Sequence, residues 1–595
     1  MRKIRIFVSL AMAVVLAPMA FAQDAQSKAP AAATAQTKRP MTFEDMMKMK
    51  RLGETAVSPD GKWLAYSVTT VDLEQNTKTP ELWLQAIAPP DGGGPNSKSP
   101  MKIAVAQPHD SGVQFAPDGK RILFLSGRGG SEQVWIADFD AVTVATANAK
   151  KLTAISTEAG DAIWSPDGNS ILFTSAVYPD CPAMTAADFA TGDKCNAERD
   201  AAAAASKVKA QIFTHLLYRH WDHFTGEKRT HLFLAAVGTG AVRDLTPNDA
   251  HDVPPFSLEG GGCGCAFAPD GKELAFTENL DPEPAISTSP SIFTLDLTSP
   301  AAKPVKVSTS KGGNFNPAYS PDGKWLAWRS QERAGYESDR FRLMIYDRAK
   351  SSKSASQRVS ESAVRDLMPE FDRWVDEFAW GPTNSGVIYF TAEDTGEQPV
   401  YAMNIFNGHS ALRVPIVLAS EEAIDITKTK PLGRNLLGEY INLHPTPDGK
   451  LLIATRMTVR APGEIVGIDS RKVGHVYFTV LLEPQDIEIP QFIHESQLTH
   501  FNDSLLAQLD LPEMESFWFT ARDGTKLQGF LIRPPGFDAQ KKYPVKFLIH
   551  GGPQGAWGDD WSYRWNAELF AANGYVVVMV NMRGSTGYGQ AIVMG

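Results

Sequence analysis

Near the C-terminus, Lys546 to His550 reads as a buried strand that runs directly into Gly551-Gly552-Pro553. A glycine pair straight after a strand lets the main chain come close to a developing oxyanion, so this is a place where backbone N–H groups can serve acyl-transfer chemistry. The run Ser562 to Ala572 reads as an amphipathic helix stopped by Asn573-Gly574, and Val576 to Val580 as a second apolar strand. The loop Asn581-Met582-Arg583-Gly584-Ser585-Thr586-Gly587-Tyr588-Gly589 comes next. After strand, glycine motif, helix and strand, the chemistry requires a nucleophile in Gly-x-Ser-x-Gly. No serine of the 595 residues has glycine at both positions two away, Ser585 included.

These residues need a scaffold, and the chain is long enough for several cores. It is 43% hydrophobic and 21% charged, with a formal charge of −10. With no basic run, that balance excludes a nucleic-acid surface. Arg2, Lys3 and Arg5, the apolar stretch Ile6 to Ala17 and the Ala20-Phe21-Ala22 site read as a signal peptide over 1–22, with Gln23 as the expected mature start. A periplasmic or secreted protein is the expectation, with no membrane segment after cleavage. In that compartment the four cysteines have three possible pairings. Cys181 and Cys195 bracket a loop rich in Pro, Asp and Ala, and a bridge there is favoured; Cys263-Gly264-Cys265 is compatible with a strained bond or with free thiols.

Residues 23–40 read as a disordered linker, and Thr42 as the cap of a short helix. A pentapeptide then recurs: Ser58-Pro59-Asp60-Gly61-Lys62, Ala116 to Lys120, Ser165 to Asn169, Ala268 to Lys272, Ser320 to Lys324 and Thr446 to Lys450. Gly381 to Gly386 is a degenerate copy. Each is a tight turn in which Pro presets φ, Asp bonds the backbone and Gly takes positive φ. Apolar or alternating strands follow. Such units at about fifty-residue spacing predict an all-β seven-bladed β-propeller over 41–504. The gap from Ser165 to Ala268 must hold an insertion or a cryptic blade. It contains an alanine-rich helix, Ala201 to Lys209, and places an insertion near 178–230.

These turns, with His550-Gly551-Gly552-Pro553 and Arg583-Gly584-Ser585-Thr586-Gly587-Tyr588-Gly589, resemble the prolyl oligopeptidase family of serine peptidases, in its acylaminoacyl-peptidase and dipeptidyl-peptidase V branch. Tyr218 to Asp222 and Arg333 to Asp339 also look like that branch. The resemblance implies a propeller followed by an α/β-hydrolase domain, incomplete here over 505–595. It implies a short-peptide substrate cleaved through an acyl-enzyme, no cofactor, and an oxyanion-hole N–H from Gly552. It places the Ser, Asp and His triad beyond Gly595, so a C-terminally truncated, inactive chain is the expectation. The alternative is a non-catalytic periplasmic propeller that binds peptides or a partner protein.

Other candidates carry weaker signals. Arg219, Trp221 and Asp222 read either as an internal ion-pair network of the insertion or as cavity lining. Glu337 and Asp339 read either as a binder of a peptide's free amine or as a solvated loop. His215, His220, His223 and His231 cluster in sequence without a ligand spacing, so no metal is expected.

Overall fold

The computed structural model describes residues 37–87, 99–214, 216, 218–220, 223–255, 263–350, 361–406, 412–413, 416–418, 438–471, 493–552 and 554–595. The signal segment 1–22 lies outside them.

The repeated turn sets the architecture. At the first copy the Gly61 N–H donates to the Ser58 carbonyl at 2.9 Å, and the Ser58 hydroxyl accepts the Trp63 N–H at 2.9 Å. Asp60 accepts the Lys62 N–H at 3.1 Å, while Gly61 sits at φ +69°. Gly119, Gly168, Gly271, Gly323 and Gly449 adopt φ between +65° and +70° in the other copies. Side chains other than hydrogen are disfavoured there, which explains the glycine in every turn.

Each turn joins the first two strands of an antiparallel sheet. Among the described residues, seven such sheets follow one another, spanning 51–102, 111–151, 160–244, 265–306, 314–366, 377–413 and 439–497. Six have four strands, and the seventh gains a parallel fifth, Ile416–Leu418. Each sheet buries its face against the next. Phe124 of the second packs with Leu84 of the first, and Phe173 of the third with Leu123 of the second. Leu451 and Ile465 of the seventh meet Leu64 and Tyr66 of the first. The sheets therefore form a closed β-propeller whose closure rests on side-chain packing, since among the described residues no strand crosses from the last sheet to the first.

The long gap is an insertion within the third sheet. Ser170–Val177 pairs directly with Arg229–Ala236, and the intervening residues leave the sheet. Cys181 and Cys195 are disulfide-bonded, and Cys263 and Cys265 are bonded as well. The helix spans Ala190–Ala205, earlier than the alanine run alone indicates. It starts where Asp193 enters the first turn, and Ser206 ends it in extended backbone. Asn196 anchors the helix by accepting the Tyr178 N–H at 2.8 Å.

The N-terminal segment also departs from expectation. Residues 37–40 do not behave as free linker, because Arg39 pairs with the chain near Leu509: its N–H donates to the Gln508 carbonyl at 3.0 Å, and its carbonyl accepts the Asp510 N–H at 2.7 Å. Thr42 caps Phe43–Lys48 in a reciprocal box with Asp45. Met41, Met46 and Met49 then pack on Leu509, Leu511 and Trp561, in a cluster that also takes in Met457 of the seventh sheet.

The C-terminal sheet has the order Met514–Thr520, Lys526–Ile532, Val576–Asn581, Val545–Leu548. The last two are parallel, and Val545–Leu548 is the edge. The helix before Val576 is only Ala567–Ala572, shorter than Ser562 to Ala572, because Asn566 takes extended backbone and caps it by accepting the Leu569 N–H.

Candidate active site

Gly551 and Gly552 follow the edge strand and are exposed. Gly552 has φ +118°, and a β-carbon there would lie 2.4 Å from the Gln554 nitrogen, so only glycine fits. The chain reversal is held from behind. His550 Nδ1 faces the Gly551 carbonyl at 2.8 Å, and Nε2 faces the Ser585 hydroxyl at 2.8 Å. The Trp557 N–H donates to Asn581 Oδ1 at 2.7 Å, and Asn581 Nδ2 donates back to the Trp557 carbonyl at 2.9 Å. The Tyr588 hydroxyl accepts from Asn581 and donates to Gln528. The Thr586 N–H reaches the Gly555 carbonyl at 3.2 Å. The loop 581–589 thus clamps His550, Gly555 and Trp557 in place.

Ser585 lies beside a histidine but is no exposed nucleophile: it is fully buried and follows Gly584 in a turn. The pairing positions His550, which is the only histidine after His500.

The propeller supplies the other wall. The tight turns lie at one end of the ring, so the loops that follow each second strand lie at the other end, and those of the fifth, sixth and seventh sheets touch the C-terminal region. From the sixth sheet, the Thr395 N–H donates to the Gly587 carbonyl at 3.1 Å, and the Asp559 N–H to the Gly396 carbonyl at 2.8 Å. Thr586 donates to the Glu393 carboxylate. Gln590 donates to Asp372 at 2.8 Å and to the Ser338 carbonyl at 2.7 Å. A hairpin of the seventh sheet inserts Val459 among Phe530, Ile532, Leu548 and Val577, while its N–H donates to Asp559 at 2.8 Å.

Carboxylates gather along this contact. Burial and the neighbouring Asp560, Glu393, Asp376 and Asp559 hold Glu439 well above the usual carboxylate range. Burial pushes Asp559 up to about 6, against the hydrogen bond from Val459. Sequence reasoning missed this group, whose members come from 376, 393, 439 and 559–560; Glu393-Asp394 at the end of a strand was its only local signal.

The sequence candidates separate. Asp339 is buried, and its carboxylate accepts the Glu332 and Arg333 N–H groups at 2.7 and 2.9 Å, which closes its own loop. Glu337 is exposed on that loop, beside the Ser338 carbonyl that Gln590 reaches. Arg219 is exposed on a two-residue strand, Arg219–His220, paired with His223–Phe224. Trp221, Asp222 and His215 lie outside the described residues. His231 is a buried structural residue that pairs with Asp244 at 2.8 Å.

The profile of the prolyl oligopeptidase family matches residues 561–592, the stretch holding the capped helix, the second strand and the clamping loop. Over those residues the chain is similar to the prolyl oligopeptidase family. It is 27% identical to dipeptidyl-peptidase 5 of Porphyromonas gingivalis over 559 residues, which is 92% of this chain and 69% of that protein. It is also 27% identical to dipeptidyl-peptidase 5 of Porphyromonas endodontalis over 594 residues, covering 99% of this chain and 73% of the relative. In fold it is similar to acylaminoacyl peptidase of Pyrococcus horikoshii, with a TM-score of 0.62 at 17% identity over 93% of this chain and 68% of that one. Propeller and α/β-hydrolase sheet are the architecture of the family, and its members are serine-type peptidases.

Proposed function

We propose that this chain is the propeller and leading hydrolase portion of an exported serine peptidase that acts on short peptides through an acyl-enzyme. The observation that carries the reading is the His550 to Gly552 loop, clamped by 581–589 and facing the sixth-sheet loop 393–396. Such a loop is useful to acyl transfer and has no purpose in a plain binding ring. In this reading the seven sheets are seven blades over 41–504, the hydrolase portion is 505–595, and the Gly552 N–H is an oxyanion donor. Residues 1–22 direct the protein to the periplasm or the medium. Arg219 and Glu337, both exposed, border the substrate path, whereas Asp339 shapes its own loop. The chain on its own does not turn over substrate, because none of its serines sits in a nucleophile elbow.

Dipeptidyl release is favoured over acylaminoacyl release. The relatives similar in sequence bear the name dipeptidyl-peptidase 5, and the contact between the domains is rich in carboxylates, which suits a free amine. Calorimetry with a dipeptide amide and its N-acetyl form tests this. The free-amine peptide should bind and the acetylated one should not. Tighter binding of the acetylated peptide would reverse the assignment, and binding of neither would remove the peptide-site reading of this contact.

A further inference from the structure

Where the third and fourth sheets meet, Asp249, His251 and Glu278 each turn one ligand-type atom into the same space, all within 4.8 Å of one another. Glu278 ends the strand Glu273–Glu278, so it lies at the end of the ring opposite the tight turns. It is only 3% exposed. Its partner is Asp249, another carboxylate, and among the described residues no lysine or arginine pairs with either. Two facing carboxylates, one of them buried, need a shared proton or a cation between them. The third corner is an imidazole: His251 Nδ1 is 2.9 Å from Asp249 Oδ1.

The positions are set without any ion. His231, buried in the third sheet, pairs with Asp244 through Nδ1 and reaches the Asp249 carbonyl through Nε2 at 3.0 Å. The Thr230 N–H donates to Asp252 at 2.8 Å, and the Val253 N–H to the Thr230 carbonyl at 2.7 Å. These bonds tie the loop carrying Asp249 and His251 to the edge of the sheet, as supporting contacts do around metal ligands. One nitrogen and two carboxylate oxygens suit a borderline divalent transition ion better than calcium or magnesium, which prefer oxygen alone.

We propose that Asp249, His251 and Glu278 form a binding site for a divalent transition-metal ion of the zinc type, which cross-links the third and fourth sheets. The site is open on the His251 side, where the imidazole is partly exposed, so water completes the coordination. Its role is structural, since its three residues join two sheets of the ring and none belongs to the loop 550–557.

The test uses the untagged full chain, stripped with chelator and equilibrated with micromolar Zn2+. Metal analysis after desalting should find about one zinc per chain, and the melting temperature of the propeller should rise by several degrees. The near-isosteric Glu278→Gln and the partly exposed His251→Ala should each weaken zinc binding by on the order of 100-fold or more, while His500→Ala, at an exposed histidine elsewhere, should leave it unchanged. Circular dichroism establishes that each variant is folded. Equal zinc retention by Glu278→Gln and the parent chain would overturn the proposal. So would a folded parent that retains no zinc, or one that retains calcium in its place.

Discussion

The propeller and the C-terminal sheet are built on opposite terms. In the propeller the first six sheets are wholly antiparallel, each made from one continuous stretch of chain and buried against two neighbours. In the first sheet Trp63 to Val68 are all buried. In the C-terminal sheet the parallel strand Val545–Leu548 has, among the described residues, a neighbour on one side only, and Val545, Phe547 and Ile549 are 61, 55 and 69% exposed. Parallel strands ordinarily lie buried on both faces, and an apolar edge invites further pairing. The comparison teaches where stability and chemistry reside. The ring closes on its own packing, while the sheet that carries the glycine loop leans on the ring and on an N-terminal strap, residues 37–49.

The sharpest way to break that comparison is at Phe530. It is fully buried in the C-terminal core, beside Val459 from the ring. Phe530→Ala should remove about 3–5 kcal/mol from this region. Limited proteolysis with mass spectrometry should then show cleavage between 504 and 514 and loss of the C-terminal segment, with the ring intact. Simultaneous loss of both regions would mean that they form one cooperative unit.

A smaller effect is expected at Gly396, where φ is +88° and a β-carbon would come within 2.2 Å of the Phe530 ring. Gly396→Ala combines about 1–2 kcal/mol of backbone strain with that clash. It should raise the protease sensitivity of the C-terminal segment and leave the propeller's melting temperature unchanged.

Acidity sharpens the comparison further. Folding raises Asp559 from the usual carboxylate range to about 6. Glu568 is fully buried with neither oxygen hydrogen-bonded, and burial pushes it well above its ordinary value. In both, the folded state binds the proton more tightly than the unfolded chain. Stability is therefore lost as pH rises from the unfolded values through the folded ones, from about 4 to about 6 for Asp559. The C-terminal segment should resist protease better at pH 5 than at pH 7.5, and Glu568→Gln should flatten that dependence. A segment that loosens on acidification would contradict the sign. The smallest effect concerns the strap: Thr42→Ala removes the helix cap and should lower stability by about 1 kcal/mol in denaturant titration.

What the sequence disclosed follows the same division. Turn residues act locally, so Pro, Asp and Gly in the copies from Ser58 to Lys450 announced the ring, and the same logic located the third-sheet insertion. The glycine pair after Ile549-His550 was legible because a strand end and a glycine are both local features. The clamp was not, since Asn581, Tyr588 and Gln528 meet only through the sheet order. Nor were the Glu439 and Asp559 carboxylates or the Asp249, His251 and Glu278 triad, whose members are brought together by adjacent sheets. Arg39 and the three methionines showed no sign of the strap, because their partners lie more than four hundred residues away.

In the proposed function, residues 505–595 build the oxyanion side of a serine-peptidase site and supply no nucleophile. Incubating the folded chain with a fluorophosphonate probe, then mapping modified serines by mass spectrometry, tests it most directly. No serine should be labelled above the level of a heat-unfolded control. Rapid labelling of Ser585, the serine held against His550, would contradict it.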